Sequence, residues 1–195
     1  MALTPRSRTT LQSFYERIDT DHQLTPHFKR LLEEQFTEAK FAKGEVVYFK
    51  GETVSRIHLN VSGVFRFFDP QQDTTLGFAK PLALVPALGS LNRENRLSVT
   101  VMALSPCQTL AIPQSSLEDL VRADFRWYRV LWNLLQEETM TQEALRLSLL
   151  LDPAPVRYKK FLAEFGEVER HIRIQHVASY LGMNPATLSR IRSRP

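Results

Sequence analysis

With 195 residues, 43% of them apolar, the chain can bury one ordinary core and a small satellite domain. It has no run of 18 apolar residues, and its start, MALTPRSRTTLQSF, is polar and without a signal-peptide stretch, so no membrane contact is expected and the cytoplasm is the expected compartment. A lone cysteine, Cys107, excludes an internal disulfide and cysteine-clustered zinc or iron–sulfur sites, while a pI near 9.4 suits a nucleic-acid partner.

In chain order, residues 9–36 read as helical, with Thr25-Pro26 as a cap and start before Phe28, Leu31, Leu32 and Phe36. From Glu38 the pattern changes to short β-rich runs. Val46 to Phe49, Ile57 to Val61 and Val64 to Phe68 are punctuated by Gly44, Gly51 and Gly63. Leu97 to Leu104 and Gln108 to Ile112 complete a small antiparallel barrel. Ser115 to Leu151 reads as one long helical stretch carrying Trp127, Leu131, Leu134, Leu135, Met140, Leu145 and Leu149. Its apolar residues point to too many sides for one partner, which predicts burial against a second copy. Trp127, Leu131, Leu134 and Leu145 are the expected contacts of that homodimer, whose register is not readable. Asp152-Pro153-Ala154-Pro155 ends the stretch, because proline cannot continue a helix. Val156 to Phe165 is the next helix.

The segment Gln175 to Arg194, QHVASYLGMNPATLSRIRSR, reads as a helix, a glycine turn and a second helix. Val177, Ala178 and Leu181 form the apolar stripe of the first, and Gly182 supplies a left-handed turn position. Asn184 suits an N-cap and Pro185 a first helical turn. Leu188 and Ile191 turn inward, which leaves Ala186, Ser189, Arg190 and Ser193 along the outward stripe, flanked by Thr187, Arg192 and Arg194. Such a face can enter a major groove; a hairpin that merely packs is the plainer alternative. Charge favours DNA, since residues 153–195 hold eight Lys/Arg and three Asp/Glu, a net +5, against −1 for residues 1–152. Asn184, Thr187, Ser189, Arg190, Arg192 and Arg194 are therefore the candidate DNA contacts, with Lys159, Lys160 and Arg173 as further phosphate candidates.

This segment resembles the C-terminal reader of the Crp/Fnr family of bacterial transcription regulators, through the ASYLG of Ala178 to Gly182 and the TLSR of Thr187 to Arg190. KGEVVYFKGETVSRIHLNVSGVFRFFD, from Lys43 to Asp69, is similar to that family's opening barrel strands, with K-G-E, a second G-E and V-S-G-V-F-R in the usual order. The resemblance implies an α+β chain. Residues 1–114 would form N-terminal helices and a cyclic-nucleotide-binding-like antiparallel β-barrel (a double-stranded β-helix or jelly roll), 115–152 a dimerisation helix, and 153–195 a helix-turn-helix domain. It also implies a homodimer that binds double-stranded DNA, with RNA polymerase as a candidate partner.

The effector pocket departs from the family. The resemblance places it at PALGSLNRENRLSVTVMA, Pro86 to Ala103. Cyclic-nucleotide binders need amide N–H groups and an arginine for the phosphate, and a glutamate for the ribose hydroxyl. Ala87 stands at the glutamate position and Leu97 at the arginine position; Leu88, Gly89 and Ser98 remain. Losing both charged partners removes on the order of 1.5–3 kcal/mol for each hydrogen bond, which abolishes ordinary micromolar affinity. Cyclic AMP is therefore not the expected effector. Arg93 and Arg96 leave open a shifted pocket for another anion, but Arg96 is one residue out of register and would face the opposite side of a strand. The reader departs as well: Pro185 and Ala186 stand where many members carry an arginine and a glutamate, so the target sequence is not readable.

No catalytic arrangement, phosphate-binding glycine loop or cofactor motif is present. The five histidines (His22, His27, His58, His171 and His176) lack metal-ligand spacing and read as solvated or capping. Cys107, after Ser105-Pro106, reads as an idle thiol in a turn. The expected function is a homodimeric transcription regulator, neither an enzyme nor a cofactor protein. Two alternatives are a sensor module for a small anionic or apolar ligand with little DNA contact, and a protein-interaction regulator in which both ancestral sites have decayed.

Overall fold

The computed structural model describes residues 3–19, 24–86, 94, 96–124 and 126–193. Of the expected site residues, Ala87, Leu88, Gly89, Arg93 and Arg194 lie outside these, as does His22.

Two proline-started helices open the fold. In α1 (Pro5–Ile18) the Thr4 hydroxyl accepts the Ser7 N–H, and in α2 (Pro26–Gln35) the Thr25 hydroxyl accepts that of Phe28. Eight strands follow: β1 (Thr37–Phe41), β2 (Val46–Tyr48), β3 (Arg56–Ser62), β4 (Phe65–Asp69), β5 (Thr74–Ala79), β6 (Leu84–Val85), β7 (Thr100–Ala103) and β8 (Cys107–Pro113). They form two antiparallel four-stranded sheets, ordered β1-β8-β3-β6 and β2-β7-β4-β5. The Phe41 ring of the first sheet lies 5.8 Å from that of Phe65 in the second, and His58 of the first is bonded to the Tyr48 hydroxyl of the second, so the sheets pack face to face.

The two facing sheets match the expected jelly roll and, among the described residues, do not close into a barrel. Among the described residues no strand pairing joins one sheet to the other, and the edge strands β2 and β6, three and two residues long, are too short to carry a ladder across. In β3 and β8 nearly every central residue is buried, because helices cover the outer face of that sheet. Gly63 turns β3 into β4 at φ +89°, and a Cβ there would lie 2.4 Å from the Cys107 Sγ.

The stretch from Ser115 to Leu151, expected as one helix, is two. In α3 (Gln114–Ala123) Leu117, Leu120 and Val121 pack on the sandwich core. Asp124 then adopts an extended conformation, and its carboxylate accepts the Arg126 N–H at 2.9 Å and the Arg126 guanidinium at 2.8 Å. That local alternative to helical bonding breaks the run before α4 (Arg126–Leu151) begins. After Pro153, α5 (Ala154–Phe165), a 3-10 turn (Glu169–His171), α6 (Ile174–Tyr180) and α7 (Pro185–Arg192) complete the chain.

These last helices do not own their core. Val64, Phe78 and Leu104 of the sandwich are buried in one cluster with Phe161, Phe165, Tyr180 and Leu188. The Phe78 ring lies 5.8 Å from that of Phe165 and 5.3 Å from that of Tyr180, in edge-on geometry. No described helix is long and apolar enough to cross a membrane.

Candidate nucleic-acid interface

The site grows from the turn between α6 and α7. The Gly182 N–H donates to the Ser179 carbonyl at 3.1 Å and the Met183 N–H to that of Ala178 at 2.9 Å, which is the paired bonding of a Schellman end. Gly182 sits at φ +59°, and a Cβ would come within 3.3 Å of the Leu149 side chain. Two residues on, Asn184 is extended and its Oδ1 accepts the Ala186 N–H at 2.8 Å. Asn184, expected as a DNA contact, thus serves as a cap that starts α7. Val177, Ala178 and Leu188 are fully buried between the two helices, which fixes the rotation of α7.

That rotation leaves Ala186, Ser189, Arg190 and Ser193 exposed, with Thr187 half-buried. The Arg190 Nε reaches the Ala186 carbonyl of its own helix at 3.4 Å. Arg192 differs. Its guanidinium pairs with the Glu169 carboxylate, donates to the Tyr158 hydroxyl at 3.1 Å and lies over the Tyr158 ring. Tyr158 also donates to Glu169 at 2.8 Å. Arg192, expected as a phosphate contact, is a strut between α7 and α5. Lys160 is likewise paired with Asp152 at 2.6 Å, and their pairing holds the Asp152 carboxyl below its usual range. Lys159 and Arg173 are exposed.

Behind α6 stands the β4–β5 hairpin. Arg66, 1% exposed, donates from Nε to Thr75 Oγ1 at 2.8 Å and from its guanidinium to Asp73 Oδ1 at 2.7 Å. The Thr75 N–H donates to the Ser179 hydroxyl of α6 at 2.9 Å. His176 is buried beside this group, and burial first, then Arg66, lowers its pKa. His58 is buried too, with Nε2 3.0 Å from Tyr48 Oη and Nδ1 2.9 Å from Thr109 Oγ1; burial and Arg56 push it down to about 4. Both histidines correct the expectation of solvated or capping rings, because periodicity did not reveal that β3 is covered on both faces or that α6 packs against β5. Cys107 is buried, donates to the Ser105 carbonyl at 3.2 Å, and has its pKa raised by that burial.

At the expected effector stretch, Leu97 is 2% exposed and belongs to the sandwich core. Its N–H donates to the Glu52 carbonyl and its carbonyl accepts the Gly51 N–H. Arg96 turns the other way, towards the Gly51 carbonyl at 3.0 Å and Glu94 at 3.3 Å. Ser98 lines an open cleft of about 1050 Å³ between β5 and α4, whose rim mixes Arg17, Lys80 and Arg146 with Glu137, Glu138 and Glu143. Charges of both signs give no preference for an anion.

The expected dimer contacts are redistributed. Trp127 is 4% exposed against the chain's own core, its ring 5.6 Å from that of Phe28. Leu131 and Leu134 face the sandwich, and Leu145 packs on the second core. A more exposed face of α4 instead carries Tyr128, Trp132 and Leu135, at 58%, 65% and 44% exposure. Apolar periodicity marked both faces and could not tell which one the sandwich takes. Tyr128 was the residue missed; its 4–3 spacing to Trp132 and Leu135 was the available signal. Tyr158 and Glu169 carried no local signal, because Arg192 lies 34 and 23 residues away from them.

Comparison with known proteins fits this architecture. Residues 38–124 match the model of the cyclic nucleotide-binding domain. No curated protein matches the sequence. Among solved structures, FixK2 from Bradyrhizobium japonicum aligns with a TM-score of 0.72 at 23% identity, over 81% of this chain and 83% of its own. The c-di-GMP responsive global regulator CLP of Xanthomonas campestris aligns at 0.64 and 13% identity, over 83% and 87%. The catabolite activator protein of Thermus thermophilus aligns at 0.53 and 22% identity, over 90% and 84%. At these identities the likeness is one of fold: a cyclic nucleotide-binding domain within a chain built like the Crp/Fnr-type regulators.

Proposed function

We propose that the protein is a homodimeric, DNA-binding transcription regulator of the Crp/Fnr type that does not answer to cyclic AMP. The observation that carries this reading is the outward face of α7, where Ser189 and Arg190 are exposed and, among the described residues, Arg190 bonds to its own helix. The arginine fork suits the two acceptors of guanine in a major groove, and Thr187 and Ser189 suit flanking contacts. Lys159 and Arg173, with Arg194, serve the phosphates. Residues 153–195 act as the reader, 1–114 as the sensor-type domain and 115–152 as the pairing region.

Dimerisation rests on the face of α4 that carries Tyr128, Trp132 and Leu135, an apolar surface that water would otherwise cover. Two readers then address half-sites about 34 Å apart or a multiple of that. Leu97 in the core supports the absence of a cyclic-nucleotide response, since an apolar side chain at that position cannot pair with a phosphate. The test is capture of genomic fragments by the purified protein without added ligand, followed by titration of the enriched duplex and a scrambled one. A clear preference for the enriched duplex is expected. Equal affinity for both would overturn the reading in favour of a regulator acting through protein contacts.

A further inference from the structure

On the outer face of the β1-β8-β3-β6 sheet, helices α1 to α4 line a partly open cavity of about 50 Å³. Phe14 of α1, Ile57 and Leu59 of β3, Val121 of α3, and Trp127 and Leu134 of α4 form its walls, and every other lining side chain is also apolar. Room for a water molecule needs only about 10–15 Å³ on this measure, so the space exceeds one water several times over. A water also needs two to four polar partners, and these walls offer none. Water that enters it gives up hydrogen bonds, and each wall atom that faces the space lacks a dispersion partner. An anion, a nucleotide or any hydrogen-bonding ligand would lose its hydration there without replacement.

We infer that this cavity is a binding site for a small neutral apolar molecule of a few heavy atoms, of the class of dissolved gases and light hydrocarbons. The occupant restores the missing contacts and tightens α4 on its seat. Trp127, Val130, Leu131 and Leu134 line the cavity from the inner face of the helix whose outer face carries Tyr128, Trp132 and Leu135. An occupant thus bears on the helix that the proposed dimer shares; this consequence, unlike the binding itself, rests on the reading of the preceding subsection.

Xenon is the probe. The purified full chain, without DNA, is titrated under xenon pressure while xenon-129 resonance and thermal unfolding are followed. A saturable shift is expected in the wild type, with the melting temperature raised by about 3–6 °C at ten times the dissociation constant. Val121→Phe, which fills the cavity from the partly buried helix α3, abolishes the saturable response; Leu117→Trp replaces it if that variant does not fold. Leu131→Ala, which enlarges the space, tightens binding and admits benzene. A linear, non-saturable xenon response in the folded wild type would overturn the inference, as would a response unchanged by the filled cavity. Because no DNA is present, failure here leaves the DNA reading standing, and a protein that binds xenon but ignores DNA sinks only the latter.

Discussion

The sandwich and the C-terminal helices use the same polar side chains in opposite ways. In the sandwich, Arg66, His58 and Thr109 are buried and bonded within the chain. On α7, Ser189 and Arg190 are displayed, and Arg190 bonds to its own backbone. Arg66 commits three of its five N–H donors to Thr75 and Asp73, and at 1% exposure it presents little of the remainder to an outside partner. An exposed arginine held upright by its helix keeps nearly all of its donors. The difference separates residues that hold the fold from residues that can read something outside it. Variants in the first region should cost stability and spare DNA affinity, and variants in the second should do the reverse.

The largest effect expected belongs to the enclosed side. Trp127→Ala should lower unfolding stability by about 3–5 kcal/mol, because it empties a packed site against Phe28. Denaturant titration checks this; a loss below 1 kcal/mol would mean that α4 is not seated as described. The next is a pH effect at His58. Its folded pKa of about 4 lies below the ordinary histidine value of 6.5, so the unfolded chain takes up the proton first. Stability is therefore full above about pH 6.5 and falls by roughly 3 kcal/mol as pH drops towards 4. His58→Gln should flatten that window, and an unchanged slope would place the titrating group elsewhere.

On the displayed side, Arg190→Ala should lose about 1–3 kcal/mol of affinity per half-site and relax preference at one base pair, with no change in melting temperature. Equal losses on selected and scrambled duplexes would make Arg190 a phosphate contact instead. Arg192→Ala tests the boundary between the two regions. Paired with Glu169, it should leave the salt dependence of binding unchanged and lower stability; a flatter salt slope would return it to the phosphates. Smallest is Asn184→Ala, which removes a helix cap worth about 1 kcal/mol and should act on stability alone.

Local punctuation was legible where the rule is local. Gly182, Asn184 and Pro185 placed the α6–α7 turn, and Gly63 placed the β3–β4 turn, because φ preference and capping need only neighbouring residues. The break at Asp124 was not legible, since an aspartate within an apolar period carries no strong stop signal of its own. Distance along the chain hid the rest. Arg192 and Tyr158 are 34 residues apart, and Thr75 and Ser179 are 104 apart. Nothing in a helical period says that a given arginine will find a distant carboxylate.

Phe78 has a consequence for modularity. A β5 side chain stands among Phe161, Phe165 and Tyr180, so the C-terminal helices borrow part of their interior from the strands before them. Residues 153–195 cut out alone would expose that aromatic ring cluster to water and should not melt as an independent unit. Recombination between such chains would have to carry the β4–β5 hairpin along with the helices it serves. A crossover at Pro153, however natural the proline makes it look, would separate a lock from its key.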